Sequence, residues 1–147
     1  MNDHLEFLLS GQQFKKLYEK KCHQISEKYD ITKLEIEILL FFQNNKQYDT
    51  AKDIVDLKFF TKSHVSQGIA SLINNGFLIS EPDHLDRRCV HLRISDDAKK
   101  VIKEANEMRM HLQGVLYEGI SFEEKRIMAG VAKKIANNIK VELENNE

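Results

Sequence analysis

The chain has 147 residues, a formal net charge of -1, 31% charged and 41% apolar residues, six glycines and one proline. That length suits a single domain and is short for a multi-domain enzyme, and so few glycines and prolines argue against a loop-rich or all-β chain. The longest uninterrupted apolar run, residues 38–42, is far below a membrane span, and acids among short apolar runs at the N-terminus give no expectation of a signal peptide. The two cysteines, Cys22 and Cys89, lie far apart, so reduced thiols in the cytoplasm are expected.

Residues 5–29 predict a first helix, with Phe14, Leu17, Tyr18, Cys22, Ile25 and Tyr29 along one stripe. Asp30 and Ile31 break it. Thr32 with Glu35 forms a capping box, and Ile31 can staple onto Ile36, opening a helix that runs to about Gln43. Residues 44–49 read as a turn. Thr50 with Asp53 is a weaker box that opens a short helix to about Lys58. Phe59 and Phe60 form a tight connection, and Thr61 caps a further helix with Val65, Ile69, Leu72 and Ile73 inward. Gly76 after two asparagines is a stop signal. "FLISE" and "CVHLRIS" then read as two strands joined by "PDHLDRR". Ser95 is expected to cap a long helix with Asp96 and Asp97 in its first turn. The apolar positions of that helix are Ala98, Val101, Ile102, Ala105, Leu112, Val115 and Leu116. Ser121 with Glu124 boxes the last helix, which carries Met128, Val131, Ile135 and Ile139 on one side.

The predicted fold is mainly α with one small β-hairpin. Two helices joined by a tight turn read as helix-turn-helix, and the hairpin behind the second makes the unit winged. Residues 57–80 hold no acid although the chain has 23. With the apolar set inward, the second helix turns Lys62, Ser63, Ser66, Gln67, Ala70 and Asn74 outward. Short side chains let a backbone approach a major groove, while Gln, Ser and Lys can bond base edges and phosphates. The competing reading is an ordinary solvated helix face.

The segment "DIVDLKFFTKSHVSQGIASLINNGFLISEPDHLDRRCVHLRIS" resembles the DNA-binding lobe of MarR-type (multiple antibiotic resistance) regulators. The motifs are "TKSHVS" at residues 61–66, "LINNG" at residues 72–76, and Asp86, Arg87 and Arg88 at the wing, followed by "ISDDA". The flanking long helices occur in the same order, so the resemblance covers nearly the whole chain. It implies a winged lobe over residues 32–95 and a homodimer built by helices of residues 1–30 and 96–147. It implies a pseudo-palindromic double-stranded DNA operator, repression relieved by a small-molecule effector (an anionic aromatic), and no cofactor. The DNA-contacting residues it implies are Thr61, Lys62, Ser63, His64, Ser66 and Gln67 on the recognition helix, with Arg87 and Arg88 on the wing. Arg88 matches the family arginine that enters the minor groove, and Asp86 the acid that orients it by a salt bridge. The sequence departs from the family at Phe59, where a glycine is usual, at Gln67, often an arginine, and at Gly68, usually aliphatic.

Two alternatives stand beside this reading: a cysteine-based redox regulator of the same fold, and a winged helix that binds protein instead of DNA. Cys22 falls on the apolar stripe, which favours a core thiol over a sensor. Glu107 with His111 and Cys22 with His23 have no metal-ligand pattern beyond their spacing. No phosphate-binding glycine loop, HExxH or GxSxG motif is present, so no enzymatic activity is expected. Phe7, Phe14, Tyr18 and His23 are candidates to line an effector pocket, and packing in the core and the dimer explains them equally well; the sequence singles out no effector residue.

Overall fold

The computed structural model describes residues 11–58 and 60–146. The first ten residues, with Phe7 and the start of the first expected helix, lie outside that set, as does Phe59. Six α-helices are described: α1 Gly11–Tyr29, α2 Lys33–Asn44, α3 Ala51–Lys58, α4 Lys62–Asn74, α5 Lys99–Leu116 and α6 Phe122–Asn145. Strands β1 Leu78–Pro82 and β2 Val90–Ile94 lie between α4 and α5. Residues through Met110 make one unit and those from His111 a second.

The first unit is organised around α2. Ile36, Ile38, Leu39, Leu40, Phe41 and Phe42 of this twelve-residue helix are all buried. A helix apolar on every side must be surrounded. Cys22 and Ile25 of α1, Ile54 of α3, Val65, Ile69 and Leu72 of α4, and Val101, Ile102 and Ala105 of α5 are buried with it. The start of α2 carries the expected box: Thr32 Oγ1 accepts from Glu35 N at 3.1 Å and Glu35 Oε2 from Thr32 N at 3.3 Å. Asp30, at φ +53°, turns the chain out of α1. At α3, Asp53 Oδ2 accepts from Thr50 N at 3.1 Å, and Ser121 and Glu124 form the reciprocal box of α6.

The end of α4 is a Schellman turn. Phe77 N donates to Leu72 O at 2.8 Å and Gly76 N to Ile73 O at 3.1 Å, with Gly76 at φ +79°. Those bonds satisfy carbonyls left over at the helix end, and the left-handed angle suits glycine. The hairpin follows at once, antiparallel, with Leu78 opposite Ile94, Glu81 opposite His91 and Pro82 opposite Val90.

Three expectations, on Ser95, Ile73 and the end of α5, are corrected. Ser95 makes no side-chain cap; its hydroxyl donates to Gly76 O, and Asp96–Ala98 form a 3₁₀ turn ahead of α5. The hydroxyl thus ties the end of β2 to the end of α4. Ile73, expected inward, is exposed at the edge of the apolar stripe of α4, and Val115 and Leu116 are exposed near the end of α5. Val90 is exposed because that end of the hairpin runs beyond the core.

Gly68 acquires a reason that composition did not suggest. It is buried, and a Cβ added there would lie 2.7 Å from Ile38 Cδ1. The glycine lets α4 approach α2. Gly68→Ala is therefore expected to destabilise by about 1 kcal/mol, because overpacking costs of roughly 1–3 kcal/mol exceed a helix-propensity gain of about 1 kcal/mol. Ile38→Val alone should cost about 0.5–1.5 kcal/mol, yet should raise stability in the Gly68→Ala background by deleting the clashing methyl. Urea denaturation of the four proteins checks this; additivity within about 0.5 kcal/mol would refute the close contact.

Candidate nucleic-acid interface

Thr61 starts α4 by accepting His64 N on its hydroxyl at 3.3 Å. Val65, Gly68, Ile69 and Leu72 are buried, and this fixes the rotation of the helix. Lys62, Ser63, His64, Ser66, Gln67 and Ala70 consequently form an exposed face on its first three turns, with Thr61 exposed at its head. No acid lies within α4, and the neighbouring end of α3 contributes the exposed Lys58. A cleft of about 370 Å³ separates α3 from α4, bordered by Val55, Asp56, Lys62, Val65 and Ser66.

The wing loop is built by aspartates. Asp83 Oδ2 accepts the backbone N–H groups of Leu85 at 3.0 Å and Asp86 at 2.9 Å. Asp86 Oδ1 accepts Arg88 N at 2.9 Å. Asp83 N donates to Cys89 O and Cys89 N to Asp86 O, both at 3.0 Å, closing the loop. These are the local side-chain-to-backbone bonds that Asp makes in turns. They leave Asp86, Arg87 and Arg88 exposed at the tip. Leu85 is 98% exposed beside them. Asp86 therefore holds the backbone of Arg88; its carboxylate makes no ion pair with the Arg88 guanidinium among the described residues.

A histidine that sequence reasoning passed over fastens this loop. His91 Nδ1 lies 2.9 Å from Asp49 Oδ2 and Nε2 lies 2.8 Å from Asp83 Oδ1. Asp49 also accepts Leu92 N on its carbonyl at 2.7 Å, so the α2–α3 turn runs beside β2. The contact with Asp49, then that with Asp83, raises the His91 pKa above its ordinary value. The His91 contact, then the Asp86 and Leu85 amides, lowers that of Asp83. Nothing in the sequence pointed from His91 to a residue 42 positions away.

A second polar group lies among α1, α2 and α5. Tyr18 donates its hydroxyl to Glu37, and Arg109 donates to Glu37 Oε2 at 2.7 Å and to the Tyr18 oxygen at 3.2 Å. Burial, then the Glu37 contact, pushes the Tyr18 phenol upward. A neighbouring cleft of about 330 Å³ is lined by Tyr18, Lys33, Leu34, Glu37 and Phe60. Of the candidate pocket residues, Tyr18 lines this cleft and Phe14 has its ring centroid 6.4 Å from that of Tyr18. His23 is exposed and contacts Glu27 at 3.0 Å.

Cys22 is buried, and burial raises its thiol pKa; Cys89 is raised by partial burial and then by Asp83 and Asp86. Among the described residues no group of three or more His, Cys, Asp or Glu is placed to hold a metal ion, and no helix is long and apolar enough to cross a membrane.

Residues 31–98 match the family described as "Winged helix DNA-binding domain". No curated protein matches the chain in sequence. Among solved structures, a MarR protein from Peptoclostridium difficile is 16% identical, with TM-score 0.78 over 96% of this chain and 92% of its own. Staphylococcus aureus MepR in a DNA complex is 19% identical, with TM-score 0.74 over 94% and 98%. The organohalide-sensing regulator RdhR, in its 2,4-dichlorophenol-bound form, is 17% identical, with TM-score 0.70 over 94% and 81%. Residues 31–98 thus match a winged helix DNA-binding domain, and the chain as a whole has the fold of the MarR transcriptional regulators.

Proposed function

We propose that the chain is a homodimeric transcriptional repressor of MarR type that binds a pseudo-palindromic operator and releases it on binding a small-molecule effector. The observation that carries this is the acid-free exposed face of α4 followed directly by a wing that projects Arg87 and Arg88. In this reading Thr61, Lys62, Ser63, His64, Ser66 and Gln67 meet the major groove. Gln67 can bond adenine N6 and N7. Arg88 enters the minor groove, where a narrow groove attracts a cation by shape. Arg87 meets backbone phosphate. Asp86 positions Arg88 through its backbone amide.

Residues 32–95 act as the DNA-binding lobe, and residues 1–30 with 96–147 supply the dimer helices. Support comes from α6, whose 24 residues include none buried while Met128, Val131, Ile135 and Ile139 repeat along one face. An apolar stripe of that length exposed to water marks an interface. The effector is an anionic aromatic, for which the cleft beside Tyr18, with Phe60 as an apolar wall and Lys33 as a cation, has suitable chemistry. RdhR with its dichlorophenol is a precedent for an aromatic ligand on this fold. A thiol-based switch is disfavoured, since both cysteine pKa values are raised and the thiolate is the reactive form.

Three wing variants test the DNA reading on a duplex selected from a random pool against the wild-type protein. Arg88→Ala should weaken binding by about 1–3 kcal/mol per half-site, as for other specific contacts. Asp86→Ala should cost less, because the arginine remains but its turn loosens. Arg87→Ala should weaken all sequences alike and flatten the salt dependence slightly. All three should melt like wild type, since the tip buries little. A folded Arg88→Ala protein with wild-type affinity would remove the wing from the interface.

Deletion of residues 121–147 should abolish the dimer, as read by sedimentation velocity. The intact chain found as a folded monomer at micromolar concentration would refute the dimer. A two-fold dimer also requires half-sites about 10 base pairs apart, one turn of duplex, which footprinting reads.

A further inference from the structure

We propose that His91, held as an imidazolium between Asp49 and Asp83, is a proton-dependent clamp that positions the wing for DNA. The inference rests on the reading above, in which the wing meets the duplex.

Both ring nitrogens of His91 lie within hydrogen-bond distance of a carboxylate oxygen, at 2.9 Å and 2.8 Å. Ionised carboxylates only accept. Both contacts are satisfied only when each nitrogen carries a proton. A neutral imidazole can donate to one aspartate and must turn a lone pair toward the other.

The two aspartates belong to different parts of the lobe. Asp49 sits in the α2–α3 turn, whose carbonyl also accepts Leu92 N. Asp83 opens the wing loop, and its other oxygen holds the amides of Leu85 and Asp86. Asp86 in turn holds Arg88 N. A continuous set of hydrogen bonds therefore runs from the α2–α3 turn through the imidazolium to the arginine at the tip. His91 touches no DNA in this arrangement; it is a positioning residue.

The charged surroundings favour the proton. Asp49 faces the ring from the α2–α3 turn, Asp83 from the wing loop, and Glu81 stands opposite on β1, paired with Arg93 at 3.3 Å. His84 and Arg87 of the loop border the same cleft, of about 970 Å³. Three acids oppose the two cations Arg93 and Arg87 and the titratable His84. His91 has a raised pKa, so its contribution is complete below the ordinary imidazole value and disappears as pH rises through the elevated one. Asp83 has a lowered pKa, so its contribution persists above the ordinary carboxylate value and disappears only as pH falls through the depressed one. The clamp is closed in mild acid and opens on the alkaline side.

Two measurements on the full chain test this. In the free protein, NMR titration of His91 should place its pKa above the ordinary imidazole range in wild type and lower in Asp83→Asn. On the duplex selected against wild type, affinity should fall several-fold more for wild type than for His91→Gln between about pH 6 and about pH 9, a span that brackets imidazole titration. His64 and His84 are present in both proteins and cancel in the comparison, and thermal melts at each pH confirm folding. An ordinary His91 pKa, or parallel affinity curves for wild type and His91→Gln, would overturn the clamp. A folded wild-type protein that binds no duplex at any pH would overturn the DNA reading itself, and the clamp's role with it.

Discussion

A helix that is apolar on all sides cannot sit at a surface, and the first unit of this protein follows from that constraint. Six of the twelve residues of α2 are buried hydrophobics, and they occur around its whole circumference. Each fully buried large aliphatic contributes roughly 1.5–3 kcal/mol relative to exposure, so leaving any side of α2 uncovered would forfeit a large part of the domain's margin. Side chains from α1, α3, α4, α5 and the hairpin supply the cover. Gly68 is one result: α4 approaches α2 closely enough that a side chain would collide with Ile38. The outward face of α4 is set by the same contact, because a helix pressed inward at Val65, Gly68, Ile69 and Leu72 has no freedom to rotate.

The hairpin has little apolar area to hold it. Leu78 and Leu92 are its buried residues, and the burial ends well before the tip. Polar contacts take over where hydrophobic burial stops. Ser95 bonds the Gly76 carbonyl at the base, Asp49 bonds Leu92 N midway, and His91 joins Asp49 to Asp83 toward the tip. The sequence of attachments runs from dry to wet along the strands. The outermost one depends on ionised groups, so conditions that change a proton act first on the tip of the hairpin.

Much of this architecture could be read from spacing. Capping boxes at Thr32, Thr50 and Ser121 marked three helix starts, because they are local patterns with a single geometric use. The stripe of α1 from Phe14 to Tyr29 and the inward set of α4 followed from helical periodicity. Ser95 was misread for the same local reason: a serine before two acids has the pattern of a cap, but a carbonyl brought near by the α4 turn competes for its hydroxyl. His91 with Asp49, and Arg109 with Tyr18 and Glu37, were illegible because their partners come from distant segments. The role of Asp86 lay between these cases. Its neighbourhood to Arg88 was evident, but whether a carboxylate takes a backbone amide or a guanidinium is decided by the turn it sits in.

A net charge of -1 is a poor guide to what such a surface presents. Charges act over about 8 Å at physiological ionic strength, so a duplex meets only the local arrangement. The wing shows how that arrangement is made without excess cations. Asp83 and Asp86 turn carboxylate oxygens onto backbone N–H groups, and Asp83 and Asp49 also engage His91. Hydrogen bonds of this kind localise the negative charge within the loop, while Arg87 and Arg88 have their side chains in solvent. On α4 the same end is reached by omission, since the helix contains no acid at all. The acids of the wing are thus structural ligands of the loop that carries the arginines, and replacing them by neutral residues to increase positive charge would remove the bonds that hold those arginines in place.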